Sequence, residues 1–330
     1  MKICFAMTLL TVLMLFSCKA ELRDLCYDHN HWNNVDISFD WQHAPEADAK
    51  GMTILFYNQL EPGREAERYE FIGHQGGQAR LLPGTWQALA YNNDTEAILY
   101  RGLESINTLE AYTRESSIEE GTQLTSAGMP RATGTEDEPV ILEPDPLWGV
   151  ASEPIVTNTE KKDVSMTLLP TARAHRMTIT IHNVPNLQYT KGVAGSITGL
   201  APGVNMLTGE PLEGCATEAF VGSVIDETTL QMHLMIFGHC PHESAGSIHA
   251  HKLVIYAILA DNSKWYYTVD VSNQMHSKSP DPGPGPDPTV DDDEVNIELE
   301  QLPIPKPITN GSGFQPGVDG WQNIDINVDM

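Results

Sequence analysis

The sequence is short of basic residues. It contains 19 Lys and Arg against 45 Asp and Glu, which gives a formal net charge of −26. Nucleic-acid binding depends on contacts between Lys or Arg and phosphates, and binding to anionic membrane surfaces depends on clusters of the same residues. The charge balance therefore argues against a nucleic-acid partner and a polybasic membrane patch. It suits a soluble surface that faces outward from a cell.

The sequence also lacks an apolar run long enough to span a membrane. The longest, residues 3–16, has 14 residues, whereas a spanning helix needs roughly 20. With Lys2 before it, the run is typical of a secretory signal. Ser17 and Cys18 follow, so residues 1–17 are predicted to be a lipoprotein signal peptide and Cys18 the lipid anchor, because acyl chains on an N-terminal cysteine hold a domain at a membrane. The alternative is an ordinary signal cut near Ala20, which discards Cys18.

Catalytic and cofactor motifs are missing. The sequence has no Gly-x-Ser-x-Gly elbow, no His-Glu-x-x-His pair, no phosphate-binding loop and no dinucleotide fingerprint. Pairs of carboxylates are expected by chance in so acidic a chain. We therefore expect no catalytic residue and no cofactor, and predict that the protein is not an enzyme. Gly195, Gly199, Gly203 and Gly209 are interpreted as turn residues that need positive φ.

Cysteines are few. Of the five, Cys4 belongs to the signal and Cys18 to the anchor, which leaves Cys26, Cys215 and Cys240. In an oxidising compartment an odd set allows one disulfide and one free thiol. Because Cys215 and Cys240 fall in the same half of the chain, they are the expected pair.

Histidines are concentrated in one segment. Five of them and Cys240 lie within nineteen residues: His233, His239, His242, His249 and His251. Imidazole and thiolate are good Zn²⁺ ligands, but no zinc-binding spacing is present. A hairpin loop that exposes histidines is the alternative interpretation. We predict no metal site here, and the sequence leaves the question open.

Alternating apolar and polar residues dominate what the sequence does contain. Residues 35–41 alternate between apolar and polar without error, as expected of a half-buried strand. Residues 52–57 form a short apolar run, as expected of a buried strand. Alternation returns in the second half, for example at residues 177–181 and 230–236. A helix is expected only near residues 105–110. Many short strands separated by turns predict an all-β fold made of β-sandwiches.

A polar stretch rich in Pro, Thr and Glu divides the chain. It runs over residues 121–160 and is interpreted as loops that cross between two domains. The predicted domains are therefore residues 18–155 and residues 156–330, with the boundary near Val156.

Segments spread over most of the chain resemble the FimB-type fimbrial anchor lipoproteins of Bacteroidales. The segments that carry the resemblance are Cys18 followed by LRDLC at 22–26, the strand at 35–41, LPGTWQALAYNNDT at 82–95, GSITGLAPGVNMLTG at 195–209, VDVSNQ at 269–274 and GFQPGVDGWQNI at 313–324. These are turn and strand patterns, not a catalytic fingerprint. The acidic signal expected after the lipidated cysteine is weak here, since the sequence reads Lys19-Ala20-Glu21.

The resemblance implies a fold and a role. The fold would be two tandem transthyretin-like β-sandwich domains with Greek-key-type connections. The role would be that of an outer-membrane lipoprotein at the cell surface that anchors, caps or tips a fimbrium, with fimbrillin-like structural subunits as partners. Association would use sheet edges, to which an extended segment can add a strand.

A second function fits the same sequence. A surface glycan-binding lipoprotein of a polysaccharide-uptake system would share the anchor, the acidity and the sandwiches. Exposed aromatic pairs on one face would favour glycan binding, since sugars stack on aromatic rings, whereas a vacant sheet edge would favour the fimbrial role.

Overall fold

A computed structural model of the chain describes residues 32–158, 163–241, 249–275, 294–307 and 320–326. The predicted all-β fold class is confirmed, because strands dominate and helices are short. They are α1 (Ile118–Thr122), α2 (Ser272–Met275) and one 3-10 turn (Leu187–Tyr189). None of the helices in these ranges has the length and apolarity needed to cross a membrane.

The strands form two sandwiches and a small third sheet. In the first part of the chain they are β1 (Asn33–Phe39), β2 (Gly51–Asn58), β3 (Glu67–Ile72), β4 (Gly76–Leu81), β5 (Gly84–Asn92), β6 (Ile98–Arg101), β7 (Glu110–Thr113), β8 (Val140–Ile141), β9 (Trp148–Ala151), β10 (Ile155–Thr157), β11 (Asp163–Leu168) and β12 (Thr171–Ala172). They continue with β13 (His175–Ile181), β14 (Thr190–Leu200), β15 (Gly203–Asn205), β16 (Ala216–Val224), β17 (Leu230–Ile236), β18 (Lys252–Leu259), β19 (Lys264–Asp270), β20 (Glu294–Leu299) and β21 (Trp321–Asp325).

The first sandwich packs the sheet β11-β1-β4 against the sheet β12-β9-β5-β2-β3, with β10 also paired to β5. Val35 and Ile37 of β1 face Ile54 and Phe56 of β2 in its core, with Trp86 from β5. The predicted alternation of β1 is observed, since alternate residues are buried. The apolar run in β2 is buried on both faces, because a further layer covers the back of its sheet.

The second sandwich has the strand order β20-β13-β17-β16-β14-β18-β19-β21, with β8 added to β16. Strand β16 joins its two halves: Ala216 to Val221 pair with β14, and Gly222 to Val224 pair with β17. The core contains alternate residues of β13 and β17 and the buried rings of Phe220 and Tyr267.

A junction core joins the two sandwiches. In the third sheet, β15-β7-β6, Val204 of β15 pairs with Ala111 of β7. Val204 belongs to a buried cluster that joins β2, β5 and residues near this sheet to residues of the second half of the chain: Leu55, Tyr57, Leu89, Tyr91, Leu109, Leu147, Ala201, Val204, Met206 and Phe237. The sandwiches therefore share a continuous apolar contact.

The strand pairing places the division between the sandwiches later than the predicted boundary at 155 and 156. Strand β10 pairs with β5, β11 pairs in parallel with β1, and β12 pairs with β9. The first sandwich therefore extends to Ala172, and β13 opens the second at His175. Alternation shows that residues 163–168 form a strand, but their partner, β1, lies more than a hundred residues away, and composition carries no signal for that pairing.

Several local predictions are wrong. Residues 105–110 form turns that lead into β7, not a helix. The helix is α1, where Ser117 caps the N-terminus by accepting a hydrogen bond from the Glu120 N–H at 3.1 Å. The stretch predicted as loops, residues 121–160, contains β8, β9 and β10. Trp148, which lies in this stretch, is the first residue of β9.

The four glycines of the 195–209 segment divide into two kinds. Gly199 and Gly209 have φ of +77°, as predicted. Gly195 and Gly203 do not; there the lack of a side chain permits close approach. A Cβ at Gly203 would lie 2.4 Å from the carbonyl oxygen of Ala111, so glycine is needed where β15 meets β7.

Candidate functional site: the strand edges

An open sheet leaves unpaired N–H and C=O groups along its edge strands, and such edges can accept an added strand. The edges of the two sandwiches are therefore the candidate site. They differ in whether the structure already occupies them.

The edge between β3 and β4 is closed by side chains. The Tyr69 hydroxyl donates to the Arg80 carbonyl and accepts from the Arg80 N–H at 3.2 Å. It thus satisfies the outward backbone groups of one β4 residue. The Phe71 ring lies over Gly77, where an added Cβ would come within 2.5 Å of it. An incoming strand would have to displace both rings.

The outer edge of β20 is closed by an amide. The Gln274 side chain, from α2, donates to the Glu298 carbonyl at 2.9 Å and accepts from the Glu298 N–H at 2.8 Å. These are the two hydrogen bonds that a neighbouring strand would make. Helix α2 is held by Asp270, which accepts from the Ser272 N–H at 3.0 Å.

The outer edge of β21 carries no such cover among the described residues. One side of β21 pairs in parallel with β19, from Lys264 opposite Trp321 to Thr268 opposite Asp325. No strand in the described ranges pairs with its other side. The first sandwich also has edge strands, namely β11 with six residues and β10 with three. Strand β21 is thus the most accessible edge of the second sandwich.

Packing holds β21 in place and leaves its edge exposed. The Trp321 ring meets Tyr256 edge to face, with centroids 5.5 Å apart, and Ile324 packs against the core. Asn323 is exposed between them. The indole N–H of Trp321 is buried and has no acceptor within the described part of the chain. Strand β21 is therefore held by packing at Trp321 and Ile324, and its outer side pairs with no strand of the described ranges.

Two ionisable side chains, Glu218 and Arg173, are buried. Glu218 on β16 is fully buried, and neither carboxylate oxygen has a hydrogen-bond partner among the described residues. Burial raises its pKa well above the ordinary value, and the nearby Glu143 carboxylate adds to the rise. The pKa of Glu143 is also raised by burial, although its carboxylate accepts from the Met235 N–H at 2.9 Å. The pKa of buried Arg173 is lowered to about 10 by desolvation.

The structure brings together only part of the histidine segment. Cys215 and Cys240 are joined as a disulfide, with Cα atoms 5.1 Å apart, and His249 lies beside them. The His239 and His251 rings meet edge to face at 6.0 Å. His233 is elsewhere, on β17, within hydrogen-bond distance of Thr178. His242 lies outside the described residues.

The predicted anchor also lies outside the described residues, as does Cys26. Exposed aromatic rings do not form a pair in the described ranges: Trp32 is 46% exposed in the first sandwich, and Tyr189 is 37% exposed in the second. The paired rings of Trp41 and Trp148, 6.2 Å apart, pack against the first core instead.

Sequence reasoning missed the residues that close the edges. Tyr69 and Gln274 carry no local signal, because each bonds to backbone 11 or 24 residues away. Only a three-dimensional pairing reveals them.

Comparison with known proteins gives consistent matches. Residues 17–220 match the family model described as "Domain of unknown function (DUF5119)". The protein named "Putative fimbrium anchoring subunit Fim4B" from Bacteroides ovatus is 27% identical over 198 residues, which is 60% of this chain and 54% of that protein. The chain thus spans about half the length of this relative. The expected resemblance to Bacteroidales fimbrial anchor proteins is confirmed at this level.

Two solved structures show the fold. A protein titled a "putative adhesin" from Bacteroides ovatus superposes with a TM-score of 0.56 at 22% identity, covering 84% of this chain and 95% of that one. One of the "putative polysaccharide binding proteins (DUF1812)" from Bacteroides thetaiotaomicron gives 0.50 at 10% identity, covering 81% and 90%. At these identities the likeness establishes the fold alone.

Proposed function

This chain belongs to the family described as "Domain of unknown function (DUF5119)", and from that membership, its fold and its open sheet edge we propose that it is a fimbrial component. It is a lipid-anchored protein of the outer membrane, displayed at the cell surface. It acts as an anchor, cap or tip of surface fimbriae. Its partners are fimbrillin-like structural subunits, and its similarity to a protein named as a fimbrium anchoring subunit supports this role.

The outer side of β21 carries the mechanism, because no strand of the described ranges pairs with it. A strand of five residues in this position can accept an extended segment of a subunit. Main-chain hydrogen bonds then provide affinity, and the side chains beside the edge provide specificity. The closed edges at β4 and β20 disfavour addition at those two strands, because an added strand would have to displace the side chains that bond there.

Attachment to the membrane is assigned to Cys18. The short apolar segment before it is typical of a signal peptide, and acylation of a cysteine at the new N-terminus supplies the membrane affinity. Fourteen residues separate Cys18 from Asn33, the first residue of β1. They can place the first sandwich close to the membrane and leave the second free to meet the filament.

The proposed role needs no catalysis. The acidic group whose pKa is raised furthest, Glu218, is fully buried in β16, where a substrate has no access. Its position fits a structural role. Association through backbone pairing accounts for the function without a reaction.

Glycan binding is the weaker alternative. It would draw support from a pair of exposed aromatic rings, but the described residues place exposed Trp32 and Tyr189 in different sandwiches. One structural neighbour is titled as polysaccharide binding, but that likeness concerns the fold.

Affinity purification from native cells tests the proposal. The tagged, membrane-extracted protein is captured, and the proteins that accompany it are identified by mass spectrometry. We expect fimbrillin-like β-sandwich subunits. Recovery of a TonB-type transporter with glycan-binding partners in their place would replace the fimbrial role with polysaccharide uptake.

A further inference from the structure

We propose that Cys215, Cys240 and His249 form a Zn²⁺ site when the disulfide is reduced, so that this corner of the second sandwich is held either by the S–S bond or by a metal. The two sulfurs and an imidazole nitrogen of His249 all lie within 4.8 Å of one another. Two thiolates and one imidazole are a typical ligand set for zinc. This is the one such cluster of three potential ligands that the described residues contain.

The geometry requires only small side-chain movements. Zn–S bonds of about 2.3 Å and Zn–N bonds of about 2.1 Å place tetrahedral ligand atoms about 3.6 to 3.8 Å apart. The imidazole is already near that range. Disulfide sulfurs are about 2.05 Å apart, so two thiolates that share a metal must first be separated. The disulfide and the metal are thus mutually exclusive.

Hydrogen bonds that are independent of the disulfide hold the three ligand segments in place. The Cys240 N–H donates to the Gly199 carbonyl at 2.9 Å. Cys215 directly precedes Ala216, which pairs with Leu200. His249 stands two residues before His251, whose N–H donates to Ser272 Oγ at 2.9 Å. These bonds do not depend on the S–S bond, so reduction leaves the ligands close together.

Solvent can complete the coordination. Cys240 is fully buried, but Cys215 and His249 are half-buried. A water molecule can therefore reach the fourth position of a tetrahedral metal. The partial exposure of Cys215 also gives a thiol reductant access to its sulfur.

The chemistry balances in two steps. A dithiol reductant, such as a thioredoxin-like protein, transfers two electrons and two protons to the disulfide, giving two Cys thiols and becoming a disulfide itself. Zn²⁺ then displaces the two thiol protons and binds two thiolates and neutral His249. After the metal leaves, thiol–disulfide exchange with a disulfide-bearing oxidant, which takes up two electrons and two protons and becomes a dithiol, restores the Cys215–Cys240 disulfide.

Metal titration of the membrane-extracted protein tests the proposal. Zn²⁺ is added to oxidised and to reduced protein in competition with a chromophoric chelator, and Co²⁺ is used to detect thiolate ligation from its charge-transfer absorption. We expect one tightly bound metal in the reduced protein and none in the oxidised protein. His249→Ala should weaken binding by about tenfold or more, and His233→Ala, on the exposed face of β17, should not.

Reduction could also unfold the corner, so a second readout is needed. Zinc should slow reoxidation of the Cys215–Cys240 pair in the wild type and not in His249→Ala. If reduction lowers the β-sheet circular dichroism signal, zinc should restore it. Equal zinc binding by oxidised and reduced protein, or an unchanged affinity in His249→Ala, would overturn the proposal. So would a failure of zinc to change either reoxidation or the signal.

Discussion

At the scale of single residues, Glu218 is the least expected feature of the chain. A carboxylate with no hydrogen-bond partner in the described ranges is costly to bury when ionised, so burial favours the protonated form and raises the pKa of Glu218 well above its ordinary value. The sequence around it, ATEAF, is compatible with a strand, but it does not show that Glu218 faces inward. Burial of this residue follows from the pairing of β16 with both β14 and β8.

The raised pKa of Glu218 predicts a pH dependence of stability. Above the ordinary pKa of 4.5, the unfolded chain releases the proton and the folded chain keeps it. Stability therefore falls as pH rises until the folded pKa is passed, by about 1.4 kcal/mol per unit of pKa difference. Glu218→Gln removes this contribution, and urea unfolding between pH 5 and pH 8 should show a smaller loss of stability than in the wild type.

The exposed Glu227 provides the control for this experiment. Glu227→Gln should leave the pH dependence of the wild type unchanged. Parallel stability curves for the wild type and Glu218→Gln would show that the buried carboxylate does not remain protonated in the folded state.

At the scale of elements, periodicity predicted strands well and their partners poorly. Strands β1, β2 and β17 lie where alternation or an apolar run predicts them, because each buries its own side chains in a core. Strands β8, β9 and β10 lie in the stretch where composition predicts loops. They are two to four residues long, too short for a period of two to stand out, and they are strands only because a longer strand pairs with them.

The amide of Gln274 predicts how the β20 edge behaves. Gln274→Ala leaves the Glu298 N–H and C=O without their side-chain partner. We expect a loss of about 1 kcal/mol in the free energy of unfolding and increased self-association in analytical ultracentrifugation, since an open edge recruits strands. Gln75→Ala is the control. Gln75 is exposed, and it accepts a hydrogen bond from the Phe39 N–H through its backbone carbonyl, which the substitution keeps, so neither quantity should change. A monomeric Gln274→Ala variant of wild-type stability would contradict the capping role.

The contact between β7 and β15 gives a third prediction. In Gly203→Ala the new methyl group would lie 2.4 Å from the Ala111 carbonyl oxygen, so the two strands must separate. We expect a loss of about 1 to 3 kcal/mol by urea unfolding. Gly320→Ala is the matched control, because a Cβ there meets no atom of the described residues within 4 Å. Equal stability of the two variants would show that the strands can move apart at no cost.

At the scale of the whole molecule, two sandwiches share one junction core. The sequence predicted two β-sandwiches, but it placed the boundary where composition becomes polar. The chain instead returns to the first sandwich through β10, β11 and β12 before it enters the second. Those pairings are long-range, as are the contacts of Phe237 and Val204 that close the junction. Local composition therefore revealed the number of units better than their limits.

Membrane attachment belongs to the same scale. Cys18→Ala removes the site of acylation, so the protein, together with any filament bound to it, should leave the membrane fraction and appear in the medium. Cys26→Ala should remain in the membrane fraction and serves as the control. The distribution is measured by immunoblotting of fractionated cells. Membrane retention of Cys18→Ala would contradict the lipid-anchor proposal.

The most direct test of the central claim is site-specific photocrosslinking in fimbriated cells. A photoreactive amino acid replaces Asn323, exposed on β21, and in a second strain replaces His233, exposed on β17 within the sheet. If a subunit adds to the open edge, the Asn323 position should crosslink to a fimbrial structural subunit and the His233 position should not. Absence of an adduct at Asn323, or equal adducts at both positions, would contradict strand addition at β21.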